Sequence, residues 1–348
     1  RAYYYWLLLR RYGPVPIVPN EGIDYTQSYE QIAIPRNSYE EVVDYISNEM
    51  IQAAKEIQYT KRDGENCARP TKGACLATRA LALIYSASPL ANGNNDTYAK
   101  SLVDDKGKAL LNSTYKEEKW AKAAAACKDV MELGVYDLYH ASFNTTEAVG
   151  DPKTIVPADS TCIFAQNTWP KGWKDIDPFK SYRVLFSGDI APEDNTELIF
   201  SRIDQNATEI NHSMKSFARH SMPRDFGGWN THGLTQKMVD AYYMNDGSDR
   251  ELNGGNGTER LTGFTTLQDY RQGKYKPLAA NVSLQYANRE PRFYASVGYN
   301  GSVWEYLSDP EPTHHNRQTF YYRGSGNGYN NSQFYLRTGI SVKKYVNQ

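Results

Sequence analysis

Arg224-Asp225-Phe226-Gly227-Gly228-Trp229-Asn230 is the stretch of this chain best suited to recognition chemistry. Two adjacent glycines allow a tight backbone from which Trp229 can stand out, while Arg224, Asp225 and Asn230 supply donors and acceptors around it. An aromatic face beside such groups matches a sugar, which offers apolar C–H faces ringed by hydroxyls. The competing reading is that Trp229 plugs the helix that follows it. Trp169-Pro170-Lys171-Gly172-Trp173 is a second candidate, two tryptophans four apart around Pro and Gly, and its alternative is a loop anchor. Tyr299-Asn300-Gly301-Ser302-Val303-Trp304 is a third, with Trp304 near a hairpin tip, where core packing competes. Trp6 and Trp120 fall on helix faces and read as core.

Other chemistries find less support. Asp189, Glu193, Asp225 and Asp246 are the carboxylates that would tempt a glycoside-hydrolase reading. That mechanism needs a pair at a fixed separation, which spacing along a chain does not establish. The four cysteines (Cys67, Cys75, Cys127, Cys162) are scattered, with no zinc spacing, and read as small buried hydrophobes. The six histidines show no cluster beyond His314-His315, and no acidic run fits a calcium loop, so neither a metal nor another cofactor is expected. A formal net charge of -1 argues against a nucleic-acid partner. No apolar run reaches the length of a membrane-spanning helix. The unusual feature is 28 tyrosines in a chain rich in Asn- and Gly-containing loops, since tyrosine suits half-buried, wet surfaces.

The elements that must carry these loops are mostly helices. Arg1 to Tyr12 reads as an apolar helix stopped by Gly13-Pro14, hydrophobic on nearly every side and hence expected to be buried all round. Ser38 and Glu41 form a capping box that opens a helix over about residues 39 to 58. Thr71 to Ser88 is a third helix, rich in small residues that let helix axes approach. Glu118 to Leu133 is a fourth, with Trp120, Ala123, Ala124, Cys127, Val130 and Met131 as its expected buried face. Such helix–loop–helix pairs resemble a tetratricopeptide-type scaffold. From about residue 141 the runs shorten and Gly, Asn, Pro and Ser multiply. Strands are expected at residues 197–202, 292–299 and 341–346, and an amphipathic helix at 235–244.

Several of these segments together resemble the SusD/RagB family of carbohydrate-binding outer-membrane lipoproteins of Bacteroidetes. The carriers are Arg1-Ala2-Tyr3-Tyr4-Tyr5-Trp6-Leu7-Leu8-Leu9-Arg10-Arg11-Tyr12-Gly13-Pro14-Val15-Pro16, then Pro35 to Ile46 at the start of the second helix, then Ala68-Arg69-Pro70-Thr71-Lys72-Gly73-Ala74 through Ser88-Pro89-Leu90-Ala91-Asn92-Gly93. Trp120 to Ala124, Leu234 to Tyr242 with Asp246-Gly247, and Asn288-Arg289-Glu290-Pro291-Arg292-Phe293-Tyr294 continue the series in the family's order, and Thr338 to Tyr345 resembles its last block.

The resemblance implies a mainly α fold, with tetratricopeptide-like helix pairs over residues 1–140 and a loop-rich, ligand-facing region with short strands over residues 141–348. It implies a protein that is not an enzyme. Such a protein holds a glycan at the cell surface and delivers it to a SusC-like TonB-dependent transporter, with a lipid anchor in a segment preceding residue 1. On this reading both ends of the chain fall inside the family's domain. The expected ligand-binding residues are Trp229, Asn230, Arg224, Asp225, Trp173, Trp169, Trp304 and Tyr299. The alternatives are a tetratricopeptide-type scaffold that captures protein, and a glycoside hydrolase.

Overall fold

The structure, a computed structural model, describes residues 1–65, 68–143, 162–201, 214–248, 261–307, 309–329 and 335–347. Cys67 and the far end of the strand expected at 197–202 therefore lie outside the described residues. The chain divides into two compact units, one formed by Arg1–Asp137 with Thr196–Ile203, the other by Leu138–Asn195 with Asp204–Gln348. The fold is mainly helical, as expected.

In the first unit the helices are α1 (Ala2–Tyr12), α2 (Tyr29–Ile32), α3 (Tyr39–Glu56), α4 (Lys72–Ala87), α5 (Thr97–Ser101) and α6 (Glu118–Met131). The long ones pack in series, α1 on α3, α3 on α4 and α4 on α6. Their ends follow the capping residues. The Ser38 hydroxyl accepts from the Glu41 amide, and the Glu41 carboxylate accepts from the Ser38 amide at 2.7 Å. The Lys108 ammonium and then the Ser38 amide hold the Glu41 carboxyl down at about 2. Thr71 caps α4 through the Ala74 amide, and the small residues of α4 bring its neighbours close. A Cβ on Gly73 would run into the Tyr136 hydroxyl. Arg79 fastens the layers sideways, donating to the Ser47 hydroxyl at 3.2 Å on α3 and pairing with Asp129 on α6.

Two faces differ from expectation. α1 buries Ala2, Tyr5, Trp6 and Leu9, while Tyr4 and Tyr12 are each 70% exposed, so it presents one buried face and not an apolar cylinder sealed all round. The buried stripe of α6 is Lys119, Ala123 and Ala126; Trp120 and Met131 face solvent. Lys119 is buried because a long aliphatic stem can lie along apolar surface while its head finds polar partners. Its ammonium reaches towards Ala91 O and Glu40, and burial pushes its pKa down.

The second unit contains β1 (Ala141–Ser142), α7 (Ile163–Gln166), β2 (Ile176–Asp177), α8 (Pro178–Ser187), α9 (Met214–Ser221), α10 (Gln236–Asp240), α11 (Leu267–Arg271), α12 (Pro291–Ser296), β3 (Val297–Gly298), β4 (Ser302–Trp304), β5 (Arg317–Thr319) and β6 (Ser341–Val342). The strands form three antiparallel pairs, β1 with β2, β3 with β6 and β4 with β5. α12 packs against α8 over a core of Phe179, Val239, Val282, Tyr286, Phe293 and Tyr299. Tyr286, Phe293 and Tyr299 stack, with Tyr286 and Tyr299 ring centroids 4.7 Å apart.

Here the periodicity misleads twice. Residues 292–296 are helical, and only Val297–Gly298 is strand. Pro291 starts the helix at its first turn, and every residue from Phe293 to Ser296 is buried, so burial on all sides removes the face pattern that separates helix from strand. The helix expected at 235–244 stops at Asp240 because Arg289 and Glu290 take over its backbone partners. The Arg289 guanidinium donates to the carbonyls of Val239 (2.8 Å) and Tyr242 (2.7 Å), and the Glu290 carboxylate accepts from the Tyr243 amide at 2.9 Å. Residues 197–201 form no strand, and the strand expected at 341–346 is limited to Ser341–Val342.

Candidate functional site

The glycine-rich loop is built onto α9. Trp229 donates its amide to Arg219 O at 2.7 Å, Thr231 and His232 donate theirs to His220 O, and Asn230 donates to Met222 O. Gly227 turns the chain at φ 77, and a Cβ on Gly228 would run into the Met222 carbonyl, so both glycines are required for this path. Asn327, 1% exposed, pins the loop from the opposite side. It accepts from the Arg224 amide at 2.8 Å, donates to the Asp225 carboxylate at 2.7 Å, and its carbonyl accepts from the Asn230 side chain.

This clamp divides the expected residues by role. Trp229 remains partly exposed, with the Arg219 guanidinium 4.6 Å from its ring centroid and His220 edge-on at 4.6 Å. Arg224 is half-buried and Asp225 exposed, and their clamp contacts shape the loop. Asn230 is fully buried in the left-handed region, φ 49, which asparagine tolerates, so it positions Trp229 from inside the loop.

Trp304 and Tyr299 lie inside the protein. Trp304 is 1% exposed against Phe226, and Tyr299 lies in the stack under α12, where burial pushes its phenol far up. Neither reaches solvent. Trp169 and Trp173 sit, half-buried, on a loop knotted by its own backbone: Trp173 donates to Phe164 O, Lys174 to Asn167 O, and Trp169 to the Asp175 carboxylate. The Trp169 ring lies over His140 at 5.2 Å. No described contact joins this loop to Trp229.

Trp229 instead heads a row of rings that linear spacing does not reveal. From Trp229 the row passes to His220, His232 (5.3 Å from His220), Phe217 (4.6 Å from His232), Tyr345 (4.9 Å from Phe217), Phe186 (6.1 Å from Tyr345) and Tyr182 (5.2 Å from Phe186). Every ring keeps part of its surface on solvent, Phe217 and Phe186 being 36% exposed. Phe217 and His220 are one turn apart on α9, and Tyr182 and Phe186 one turn apart on α8. Those i,i+3 and i,i+4 pairs were the available signal. The Lys344 ammonium sits 3.7 Å from the Phe186 centroid and 5.0 Å from that of Tyr182.

Two histidines remote in sequence are thus neighbours. His220 Nδ1 is paired with the Thr231 hydroxyl and His232 Nδ1 with the Ser221 hydroxyl. Burial, then the nearby His220, lowers the His232 pKa below 6.5. The folded state therefore binds this proton less readily than the unfolded chain. Its contribution to stability is complete above pH 6.5 and is lost as the pH falls through the lowered value. The unfolding midpoint is expected to drop between pH 7.5 and 5.5, and His232→Asn is expected to flatten that dependence. An unchanged slope in the variant would assign the dependence to other groups.

Three of the four carboxylates considered for hydrolysis are structurally engaged. Asp225 is held by Asn327, Asp189 by Ser187, Asn347 and Arg183, and Asp246 by Ser248 in a turn, while Glu193 is exposed. Among the described residues no group of three or more His, Cys, Asp and Glu could hold a metal ion, and no helix is long and apolar enough to cross a membrane. Cys75, Cys127 and Cys162 are free thiols; Cys75 is buried and the other two are partly exposed.

Residues 196–348 match the family model described as the SusD family. Among solved structures, one titled BT4246 is similar to this chain with a TM-score of 0.70 at 23% identity, covering 99% of this chain and 55% of its own. A SusD-like protein from Bacteroides fragilis NCTC 9343 follows, with a TM-score of 0.58, 18% identity, 99% coverage of this chain and 49% of its own. A SusD-like carbohydrate-binding protein from the same organism has a TM-score of 0.54 at 16% identity, with 99% and 46% coverage. The chain thus spans about half the length of the solved structures it matches. No curated protein matches the sequence.

Proposed function

We propose, for a chain whose residues 196–348 belong to the SusD family and which carries the SusD-like fold, that it binds glycan without transforming it and passes it to a SusC-like TonB-dependent transporter at the outer-membrane surface. The observation that carries this reading is the partly exposed aromatic row headed by Trp229 and set rigidly by the Asn327 clamp. A row of ring faces suits the apolar faces of successive sugar units, and the flanking donors suit their hydroxyls. The helix pairs of residues 1–140 serve as scaffold and the loops of residues 141–348 as the ligand-facing region. Trp169 and Trp173 offer a second, separate aromatic contact, and a lipid anchor outside this chain would hold the protein at the membrane.

The engaged carboxylates favour binding over hydrolysis. The test is calorimetry and affinity electrophoresis against a broad panel of polysaccharides, with a reducing-sugar assay on the same mixtures. Saturable binding with no sugar released is the expected result. No binding across the panel, or steady release of reducing ends, would overturn the proposal.

A further inference from the structure

We infer that the glycan taken by this row is acidic, bearing carboxylate or sulfate groups; the inference rests on the glycan-binding reading and specifies its ligand. A row built only for neutral sugar would need ring faces and polar side chains. This one also carries a full positive charge towards each end. The Arg219 guanidinium lies 4.6 Å from the Trp229 ring centroid, and the Lys344 ammonium lies 3.7 Å from that of Phe186. Both side chains are at least partly exposed.

Their donors are unclaimed. Among the described residues neither Arg219 nor Lys344 has a carboxylate within ion-pair distance, and no side-chain hydrogen bond is made by either. Three other cations of the unit are spoken for: Arg183 pairs with Glu305 and Asp189, Arg289 is sealed among carbonyls, and the Lys343 ammonium donates to Val303 O. Asp189, the carboxylate that Asn347 brings near this end of the chain, is itself bound by Ser187, Asn347 and Arg183.

A ring beneath a cation stabilises its charge and fixes its place, yet leaves the N–H groups that point away from the ring without acceptors. A guanidinium fork fits a carboxylate or sulfate in two parallel bonds, and an ammonium attracts either as a point charge. Rings between two such cations would carry the sugar faces while the cations hold acidic groups on separate residues of the same chain. Attraction of that kind weakens with added salt, which separates it from stacking.

The experiment pairs acidic polysaccharides with their own neutralised forms. Polygalacturonate and alginate are compared with carboxyl-reduced material, and chondroitin sulfate with its desulfated, carboxyl-reduced backbone, alongside neutral starch, xylan and galactan. We expect the tightest ligand to be acidic, to lose at least tenfold in affinity when neutralised, and to weaken severalfold between 50 mM and 500 mM salt. Lys344→Gln and Arg219→Gln are each expected to cost the acidic ligand about fivefold or more and to remove part of the salt dependence. The carboxylate and sulfate arms distinguish which acidic group is preferred. If a neutral glycan binds best, or neutralisation changes nothing, the inference fails while glycan binding stands. If no polysaccharide in either arm binds, the glycan-binding reading itself fails. The neutralisation and salt comparisons use the unaltered chain, so they decide the matter even if a variant does not fold.

Discussion

Trp229→Ala is expected to weaken glycan binding by about tenfold or more, the loss of 1.4 kcal/mol or more that removal of a central aromatic anchor typically produces. The ring offers its partly exposed surface at the head of the aromatic row, and its position is fixed by the Arg219 carbonyl, the Gly227-Gly228 turn and the Asn327 clamp. Because those contacts are made by the backbone and by Asn230, the loop should survive the truncation, with stability changed by about 1 kcal/mol or less, as for surface substitutions that leave the backbone in place. Trp229→Phe should keep most of the affinity. Calorimetry on the three proteins with a glycan that the unaltered chain binds checks this. Equal affinities for Ala and Trp would move the site away from the row, with Trp169 and Trp173 the next surface to test.

Arg289→Ala is expected to produce the largest loss of stability, about 3–5 kcal/mol, since it removes charge-assisted hydrogen bonds and leaves buried carbonyls without donors. Arg289 is 1% exposed and lies 4.6 Å from the Phe293 ring centroid. Its guanidinium serves the Val239 and Tyr242 carbonyls at the point where α10 would otherwise continue. Without it those carbonyls must pair elsewhere, and extension of α10 would pull Tyr243 from Glu290. For a unit of this size the corresponding fall in melting temperature is on the order of 10 °C. Arg289→Lys should recover only part of it, because the ammonium sits on a shorter side chain than the Nη2 that serves both carbonyls and has no counterpart of the Nε–H that donates to Tyr243 O. Thermal unfolding followed by near-ultraviolet circular dichroism checks both variants. A shift of under about 1 kcal/mol for the alanine variant would show that the carbonyls find water, and that the arginine is dispensable.

How far the fold could be read depended on whether burial was one-sided. α3 and α4 face their core with one stripe, so periodicity and caps set them correctly, Ser38 with Glu41 and Thr71 with the Ala74 amide. In α12 four consecutive residues, Phe293 to Ser296, are all buried, which blurs the one-sided helical pattern, and the alternation mimicked a strand. Trp120 was read inward on hydrophobicity alone. Its neighbour Lys119 takes the buried place, with its ammonium reaching towards Ala91 O and Glu40.

The candidate site divides in the same way. Trp229 and its two glycines stood out locally, since the Gly-Gly pair and the tryptophan are adjacent and their requirement is conformational. Asn230, Tyr299 and Trp304 carried the same residue chemistry but lie within the protein, and composition does not distinguish a loop tip from a core.

The sequence by itself determined the helical scaffold, the caps of α3 and α4, the resemblance to the SusD family and the loop that presents Trp229. These rest on contacts within a few residues and on short blocks in a fixed order. Only the tertiary structure decided which aromatics share a surface. α8, α9, the loop at Trp229 and the segment at Lys344-Tyr345 each contribute one or two groups. Tyr345 lies more than a hundred residues from every other member of the row, and the packing that brings it there leaves no mark in the spacing of any one segment. His220 and His232 are brought together more locally, by the turn at Gly227-Gly228 and the amides of Thr231 and His232 on His220 O.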